Sequence, residues 1–181
     1  PDYTVGENWS GVSSIADIFY EEIETQGIMP YPTYIENLDI APAHASRLLG
    51  AELIRKSDVA SKIHNRMKDF LTDPILEESY DIVVIDTAPS KGPLTISAIH
   101  AATDMIIPCE MEANSIQGIY GMIQLWMQEK FSRHEDSSLN LIGILANKFN
   151  ARTALHKQLY EDLQSDGSIS KFVMEDKLSD R

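Results

Sequence analysis

The stretch Tyr80–Gly92, which reads YDIVVIDTAPSKG, decides the fold of this chain. Its centre, Ile82–Ile85, is an unbroken β-branched run, typical of a parallel strand buried between helices on both faces. Asp86 follows the run, at the end of the strand where open α/β sheets bind their ligands. A carboxylate at that position can orient a magnesium ion, usually through water, because magnesium dehydrates reluctantly.

The loop after Asp86 combines hydroxyl groups with residues that stop a helix. Thr87 and Ser90 supply the hydroxyls, while Pro89 and the pair Gly92–Pro93 favour a turn. These residue types suit phosphate and metal chemistry. A simpler interpretation stays open, in which the strand is only structural and Asp86 caps the helix that follows.

Composition indicates an ordinary globular protein with a strong acidic excess. A chain of 181 residues with 43% hydrophobic content can bury a substantial core, and we expect one domain spanning residues 1–181. The 28 acidic side chains exceed the 15 Lys and Arg, which gives a net charge of −13. Such a charge opposes general attraction to nucleic acids and anionic membranes, so any contact with a polyanion must use a local basic patch.

Compartment and redox chemistry also follow from the sequence. No apolar run approaches the length of about 18 residues that a membrane span needs, and the first residues lack a signal-peptide pattern. We therefore expect a cytoplasmic protein that does not bind membranes. The single Cys109 excludes an internal disulfide and is expected to be a small buried hydrophobe in a strand.

Apolar periodicity predicts alternating strands and helices along the rest of the chain. This order favours an α/β fold with a mostly parallel, doubly wound sheet and flanking helices. The predicted strands are Asn37–Pro42, Ile82–Ile85, Asp104–Cys109, Leu141–Asn147 and Phe172–Met174. The first predicted helix carries the apolar stripe Ile15, Ile18, Phe19 and Ile23, is capped by Ser13 or Ser14, and ends at Gln26-Gly27. The next two carry Leu48, Leu49, Leu53 and Ile54, and then Val59, Ile63, Met67, Phe70 and Leu71, and a small-residue helix follows over Leu94–Ala102. The last two carry Ile116, Ile119, Tyr120, Ile123, Trp126 and Met127, and then, after a Thr153 cap, Leu155, Leu159 and Leu163.

Three segments resemble the ParA/MinD family of deviant Walker ATPases. The stretch YDIVVIDTAPSKG is similar to the family's Walker B strand and switch II loop. NLDIAP, residues 37–42, resembles the family's nLdliPs segment, and PCEMEANSIQGI resembles its P-x-x-x-E-x-x-x-l-x-G-l signature, with Pro108, Glu112 and Gly118 at matching spacing. The resemblance runs roughly from Ser13 to the end of the chain.

This resemblance implies a function and a set of site residues. Members bind ATP and Mg²⁺, dimerise with ATP, hydrolyse it under stimulation by a ParB-like activator protein, and move plasmids, chromosomes or other cargo. By resemblance, Asp86 is the catalytic residue that orients magnesium, and Pro108 belongs to the nucleotide-binding set. The switch II residues that sense the γ-phosphate are Thr87, Pro89, Ser90 and Gly92.

The resemblance also suggests contacts to the base and to DNA. Asn147 ends a predicted strand, where an Asn can hydrogen-bond an adenine edge, although a strand-terminal turn role stays equally open. Arg152 and Lys157 match the region where members place a basic residue for non-specific binding of DNA. The acidic stretch 161–166 nearby does not strengthen that assignment.

The sequence departs from the family in one important respect. The K-G-G-x-G-K-T loop, whose backbone amides cradle phosphate, does not occur in these 181 residues, nor does the acidic D-x-D-P-Q segment. We expect the chain to represent the middle and distal part of such an ATPase, inefficient in hydrolysis by itself. Two alternatives stay open, a non-catalytic interaction fragment and another ATP-dependent enzyme on the same scaffold, such as an amide ligase. A basic carboxyl-terminal amphipathic helix for membrane targeting is not found.

Overall fold

The computed structural model describes residues 14–20, 30–53, 57–88, 90–133 and 138–179. The chain divides into two compact units, Pro1–Ala101 and Ala102–Arg181. The single domain over residues 1–181 stays a prediction.

The first unit is mainly helical. Its described elements are a 3₁₀ helix Ile15–Phe19, strands β1 (Tyr31–Pro32) and β2 (Asp39–Ile40), and helices α1 (Ala45–Glu52), α2 (Ser57–Leu71), α3 (Pro74–Ser79) and α4 (Pro93–Ala101). The core consists of Ile18, Phe19, Ala51, Ile63 and Met67.

Close packing of α2 against α4 forms the centre of this unit. Ser97 is fully buried on α4, and its hydroxyl accepts a hydrogen bond from the Met67 backbone N–H at 3.3 Å. Small side chains on α4 permit this approach, so the prediction of a closely packed small-residue helix is confirmed. The α2 stripe is confirmed at Ile63 and Met67, which are both buried.

The second unit contains a parallel sheet covered by helices. Its elements are β3 (Asp104–Glu110), α5 (Ala113–Ser132), β4 (Asn140–Phe149), α6 (Ala154–Ser165), a 3₁₀ helix Ser170–Phe172 and β5 (Val173–Ser179). The strand order is β3-β4-β5, and both pairings are parallel. The predicted α/β fold with a parallel sheet and flanking helices is thereby confirmed.

Register places the carboxyl ends of β3 and β4 side by side. Asp104 pairs with Asn140 at one end of the ladder, and Glu110 pairs with Asn147 at the other. Ile107 and Cys109 are buried on β3, as is Ile144 on β4, whereas Ile106 and Ile142 of the same strands are exposed, so each strand is buried only in part.

The segment Ile82–Ile85 differs from its prediction. Its backbone pairs with no strand among the described residues, and Ile82 and Val84 are 81% and 87% exposed. Only Ile85 packs against the first-unit core. A central strand requires a hydrogen-bonded neighbour on each edge, and the described strands provide none here, so the prediction of a buried strand is wrong for this structure.

The segment Asn37–Pro42 also differs. Only Asp39–Ile40 is a strand, and it pairs antiparallel with Tyr31–Pro32 instead of entering a buried sheet. Leu38 beside it is 47% exposed. A two-residue hairpin ladder has no second layer to cover it, which is why the predicted burial fails.

Several predicted helix stripes are only partly buried. Side chains that were expected in the core but are exposed are Leu49, Leu53, Tyr120, Met127 and Leu155. Ser14 precedes the first helix as predicted, but that helix is a short 3₁₀ turn, and Ser13, Ile23, Gln26, Gly27 and Ile54 lie outside the described residues. Within the described ranges, no helix is long and apolar enough to span a bilayer.

Candidate functional site

The loop that follows Asp86 is fixed to the first turn of α4 by a carboxylate from α1. Glu52, the last residue of α1, accepts a hydrogen bond from the Ser90 hydroxyl at 2.9 Å through Oε1. Its Oε2 accepts a bond from the Leu94 backbone N–H at 3.3 Å. One side chain therefore contacts both the loop and the helix that the loop leads into.

Thr95 adds a second connection between the loop and α4. Its side chain is buried, its hydroxyl lies 3.3 Å from the Ser90 hydroxyl, and it donates to the Ala88 carbonyl at 3.4 Å. The Ser90 N–H also donates to the Ala88 carbonyl at 2.7 Å, and the Gly92 N–H donates to the Ser90 hydroxyl at 3.4 Å. The loop is thus held by a continuous polar network.

Gly92 lies in close contact with the end of the Glu52 side chain. A Cβ atom at this position would run into the Glu52 carboxylate, which would have to move away. Gly92 also precedes Pro93, the first residue of α4. The glycine that sequence analysis assigned to switch II is therefore explained here by its contact with α1.

Asp86 and Thr87 stand just before this network and are both exposed. Within the described residues, the Asp86 carboxylate makes no hydrogen bond or ion pair, so its oxygens are open to solvent. Pro89, the remaining predicted switch II residue, lies outside the described residues.

The donor set at Asp86 fits magnesium. Magnesium prefers oxygen ligands, keeps several waters and binds through one or two carboxylates together with substrate phosphates. An open carboxylate followed by the Thr87 hydroxyl meets this need. No cluster of three His, Cys, Asp or Glu occurs in the described part of the chain, so an all-protein metal cage is not found there.

A second candidate position lies at the carboxyl ends of β3 and β4. Glu110 forms an ion pair with Lys148, with 2.6 Å between Oε1 and Nζ. The Asn147 side-chain oxygen accepts a hydrogen bond from the Lys148 N–H at 2.9 Å, and Lys148 has a left-handed backbone with φ of 49°. This bond supports the turn role that was considered for Asn147, and its contact with adenine stays a prediction.

The other predicted site residues of the second unit are spread over its surface. Pro108 is exposed on β3, opposite Leu145 of β4. Arg152 and Lys157 are exposed before and on α6, and the Arg152 N–H donates to the Asn150 side-chain oxygen at 2.9 Å. Their assigned roles, nucleotide binding for Pro108 and DNA binding for the two cations, stay predictions.

Cys109 has no part in this chemistry. Burial, followed by the charge of Glu110, raises the pKa of its thiol to about 11. The thiol is therefore neutral at physiological pH and unsuited to act as a nucleophile or a metal ligand. This agrees with its predicted role as a small buried residue of a strand.

Sequence reasoning missed Glu52. One signal could have pointed to it, since Gly92 directly precedes α4 and has no side chain to cap the helix. An acceptor from elsewhere in the chain is needed, but the sequence does not indicate which of the many carboxylates supplies it.

Comparisons with known proteins agree with these motifs. A family model described as an AAA domain matches residues 4–141. The sporulation initiation inhibitor protein Soj of Bacillus subtilis is 29% identical over 150 residues, which are 83% of this chain and 56% of Soj. The chromosome-partitioning ATPase Soj of Thermus thermophilus is 30% identical over 95 residues, 52% of this chain and 37% of that protein. The chain spans about half the length of the curated relatives it matches.

Solved structures show the same fold. Apo McdA of Cyanothece superposes with a TM-score of 0.76 at 13% identity, covering 99% of this chain and 69% of McdA. Cobyrinic acid a,c-diamide synthase of Mycobacterium smegmatis, with a bound ATP analogue and magnesium, gives 0.69 at 23% identity, covering 86% and 60%. The family model that matches residues 4–141 and the partition ATPases among the relatives show that the chain belongs to the ParA/MinD family of ATPases.

Proposed function

We propose that this chain is part of a ParA-type ATPase that binds ATP with Mg²⁺ and uses hydrolysis to partition plasmid or chromosomal DNA. The observation that carries the proposal is the open carboxylate of Asp86 directly before a loop fixed to α4 by Glu52. The relative from Thermus thermophilus named as a chromosome-partitioning ATPase supports the role. The ATP analogue and magnesium bound to the Mycobacterium synthase support nucleotide binding by this fold.

Asp86 and the loop have different tasks in this proposal. Magnesium, when bound, neutralises the phosphate charge that develops during transfer. Asp86 holds the ion and orders the water around the attacked phosphate. Thr87, Pro89, Ser90 and Gly92 form the segment that responds to the γ-phosphate, and its hydrogen bonds to α4 convert a loop movement into a helix movement.

We assign further roles to residues of the second unit. In the proposal, Asn147 and Pro108 bind the nucleotide, and Arg152 and Lys157 supply positive charge for non-specific binding of DNA. Because the chain carries a net charge of −13, we expect this DNA contact to be weak and lost steeply with added salt. The protein acts in the cytoplasm as an ATP-dependent homodimer, with a ParB-like protein as activator.

The test is the substitution Asp86→Asn in the full-length gene product. Without the carboxylate, we expect magnesium-dependent ATP turnover to fall at least about 100-fold, as for the loss of an electrostatic group at a phosphoryl-transfer site. The circular dichroism spectrum and melting temperature should stay unchanged because Asp86 is exposed.

The matched control is Asp81→Asn, which removes an exposed carboxylate five residues earlier in the same extended segment. It should leave turnover within about twofold of the wild-type value, since surface charges far from a site have small effects. Equal turnover in Asp86→Asn and the wild-type protein would remove Asp86 from the mechanism.

A further inference from the structure

Glu52 connects three parts of the first unit with one carboxylate. It belongs to α1, it accepts from Ser90 at 2.9 Å, and it accepts from the Leu94 N–H at 3.3 Å. Its side chain is half-buried, and the Gly92 backbone lies directly against it. Both oxygens are therefore used, one for the loop and one for the helix.

The contact with Leu94 replaces a missing helix cap. The first amides of a helix have no partner within it, and a side chain at the N-cap position usually accepts one of them. Gly92 cannot do so, and Pro93 has no N–H, so Leu94 is the first amide that needs an acceptor. A carboxylate there is also favoured by the positive end of the helix dipole.

The contact with Ser90 makes this cap depend on the loop. Ser90 follows Asp86 by four residues, and its hydroxyl also lies close to Thr95 on α4. If the loop moves away from α4, Ser90 leaves Glu52, and the carboxylate is free to leave Leu94 as well. Loop position and the order of the first helical turn are thus coupled through one side chain.

We propose that Glu52 is a positioning residue of the proposed ATPase, holding the loop after Asp86 in the geometry that hydrolysis needs. This inference rests on the proposed function. Glu52 does not contact the reacting atoms in the proposal; it acts through Ser90 and Leu94. Its removal is expected to affect the rate of turnover more than the binding of ATP, because Glu52 itself contacts no part of the nucleotide in the proposal.

The test compares Glu52→Ala and Glu52→Gln in the full-length gene product. In Glu52→Ala, hydrogen exchange in peptides covering residues 88–95 should become about tenfold faster, since the loop and the Leu94 amide lose their acceptor. The kcat for ATP should fall about 10- to 100-fold, as expected for a misplaced catalytic loop, while KM stays within about twofold.

Glu52→Gln should recover part of both losses. The amide oxygen can accept from Leu94 and the amide nitrogen can donate to the Ser90 hydroxyl, but neither bond is assisted by charge. We therefore expect a kcat between those of Glu52→Ala and the wild type. Glu36→Gln, which removes an exposed carboxylate from the β1–β2 turn of the same unit, is the matched control and should change neither measurement.

Two further variants perturb the same contact from the other side. Gly92→Ala introduces a Cβ that displaces the Glu52 carboxylate without changing its chemistry, and it should reproduce the Glu52→Ala pattern. In the double variant Glu52→Ala with Ser90→Ala, the loss of kcat should be smaller than the product of the single losses, because both changes remove one interaction.

The outcomes separate the inference from the proposed function. An active wild-type protein with unchanged exchange and kcat in Glu52→Ala would overturn the inference alone. Faster exchange together with unchanged kcat would also overturn it, because Glu52 would then be a structural cap only. A wild-type protein without any ATP turnover would overturn the proposed function, and the positioning role in hydrolysis with it.

Discussion

Replacing Trp126 with phenylalanine should destabilise the second unit by removing one buried hydrogen bond. Trp126 lies on α5, is 7% exposed, and its indole N–H donates to the Leu139 carbonyl at 3.1 Å. Leu139 is completely buried just before β4. Phenylalanine leaves this carbonyl next to an apolar ring.

The size of the loss follows from two contributions. An unpaired buried carbonyl costs about 1–3 kcal/mol. The smaller ring also leaves space behind, which adds roughly 1 kcal/mol, well below the cost of a full truncation to alanine. The expected decrease in the free energy of unfolding is therefore about 2–4 kcal/mol, a large part of the roughly 5–15 kcal/mol typical of a domain.

Urea unfolding followed by far-ultraviolet circular dichroism measures this decrease. With a denaturant dependence of about 1–3 kcal/mol per molar urea, the midpoint should fall by at least about 0.7 M. Phe131→Leu is the control, since Phe131 is 84% exposed on the last turn of the same helix and its loss should shift the midpoint little. A Trp126→Phe midpoint equal to that of the control would refute the importance of the Leu139 bond.

Two further predictions concern titration. Hydrogen bonds from the Ser168 hydroxyl, and then from Tyr120, lower the pKa of Asp166 from 3.8 to about 2. The stability that the charged Asp166 provides is complete above about pH 4 and is lost as the pH falls towards 2. In urea titrations at pH 2–5, the free energy of unfolding of Asp166→Asn should therefore fall less with decreasing pH than that of the wild-type protein. Burial raises the pKa of Cys109 to about 11, so at pH 8 a maleimide should react at least about tenfold more slowly with the folded chain than with the urea-unfolded chain.

The local sequence pattern correctly predicted two strands of the second unit and the buried face of one helix of the first unit. The predicted strands Asp104–Cys109 and Leu141–Asn147 are mostly apolar, and they are neighbours in a parallel sheet. The stripe at Ile63 and Met67 predicted the buried face of α2 from helical spacing alone. The residues alone did not give burial at every position of the strands, since Ile106 and Ile142 are 46% and 53% exposed.

Long-range contacts could not be predicted in the same way. Glu52 and Leu94 are 42 residues apart, and the sequence around either residue does not indicate that the two are in contact. The alternation of strands and helices likewise predicted one doubly wound sheet, whereas the described parallel sheet contains three strands of the second unit. Periodicity indicates that a segment can be buried, but strand pairing depends on a neighbour elsewhere in the chain.

The segment Ile82–Val84 allows an experiment to separate the effect of an apolar sequence pattern from the effect of pairing with a neighbouring strand. Val84 is 87% exposed, so Val84→Lys in the 181-residue chain should change the free energy of unfolding by less than about 0.5 kcal/mol. Ile107 is also a β-branched residue of an apolar run, but it is 5% exposed on β3. Ile107→Lys should cost at least about 3 kcal/mol or prevent folding, because it buries an unpaired charge.

The same pair of variants should differ in self-association. The run Ile82–Val84 belongs to no sheet within the part of the chain that the structure describes. An extended β-branched run of this kind invites pairing with another copy, and a lysine on its surface opposes that pairing. Val84→Lys should therefore lower the amount of associated material in sedimentation velocity without lowering stability. If Val84→Lys instead destabilised the chain as strongly as Ile107→Lys, the run would be buried in solution, and its backbone would not be available for pairing with another copy.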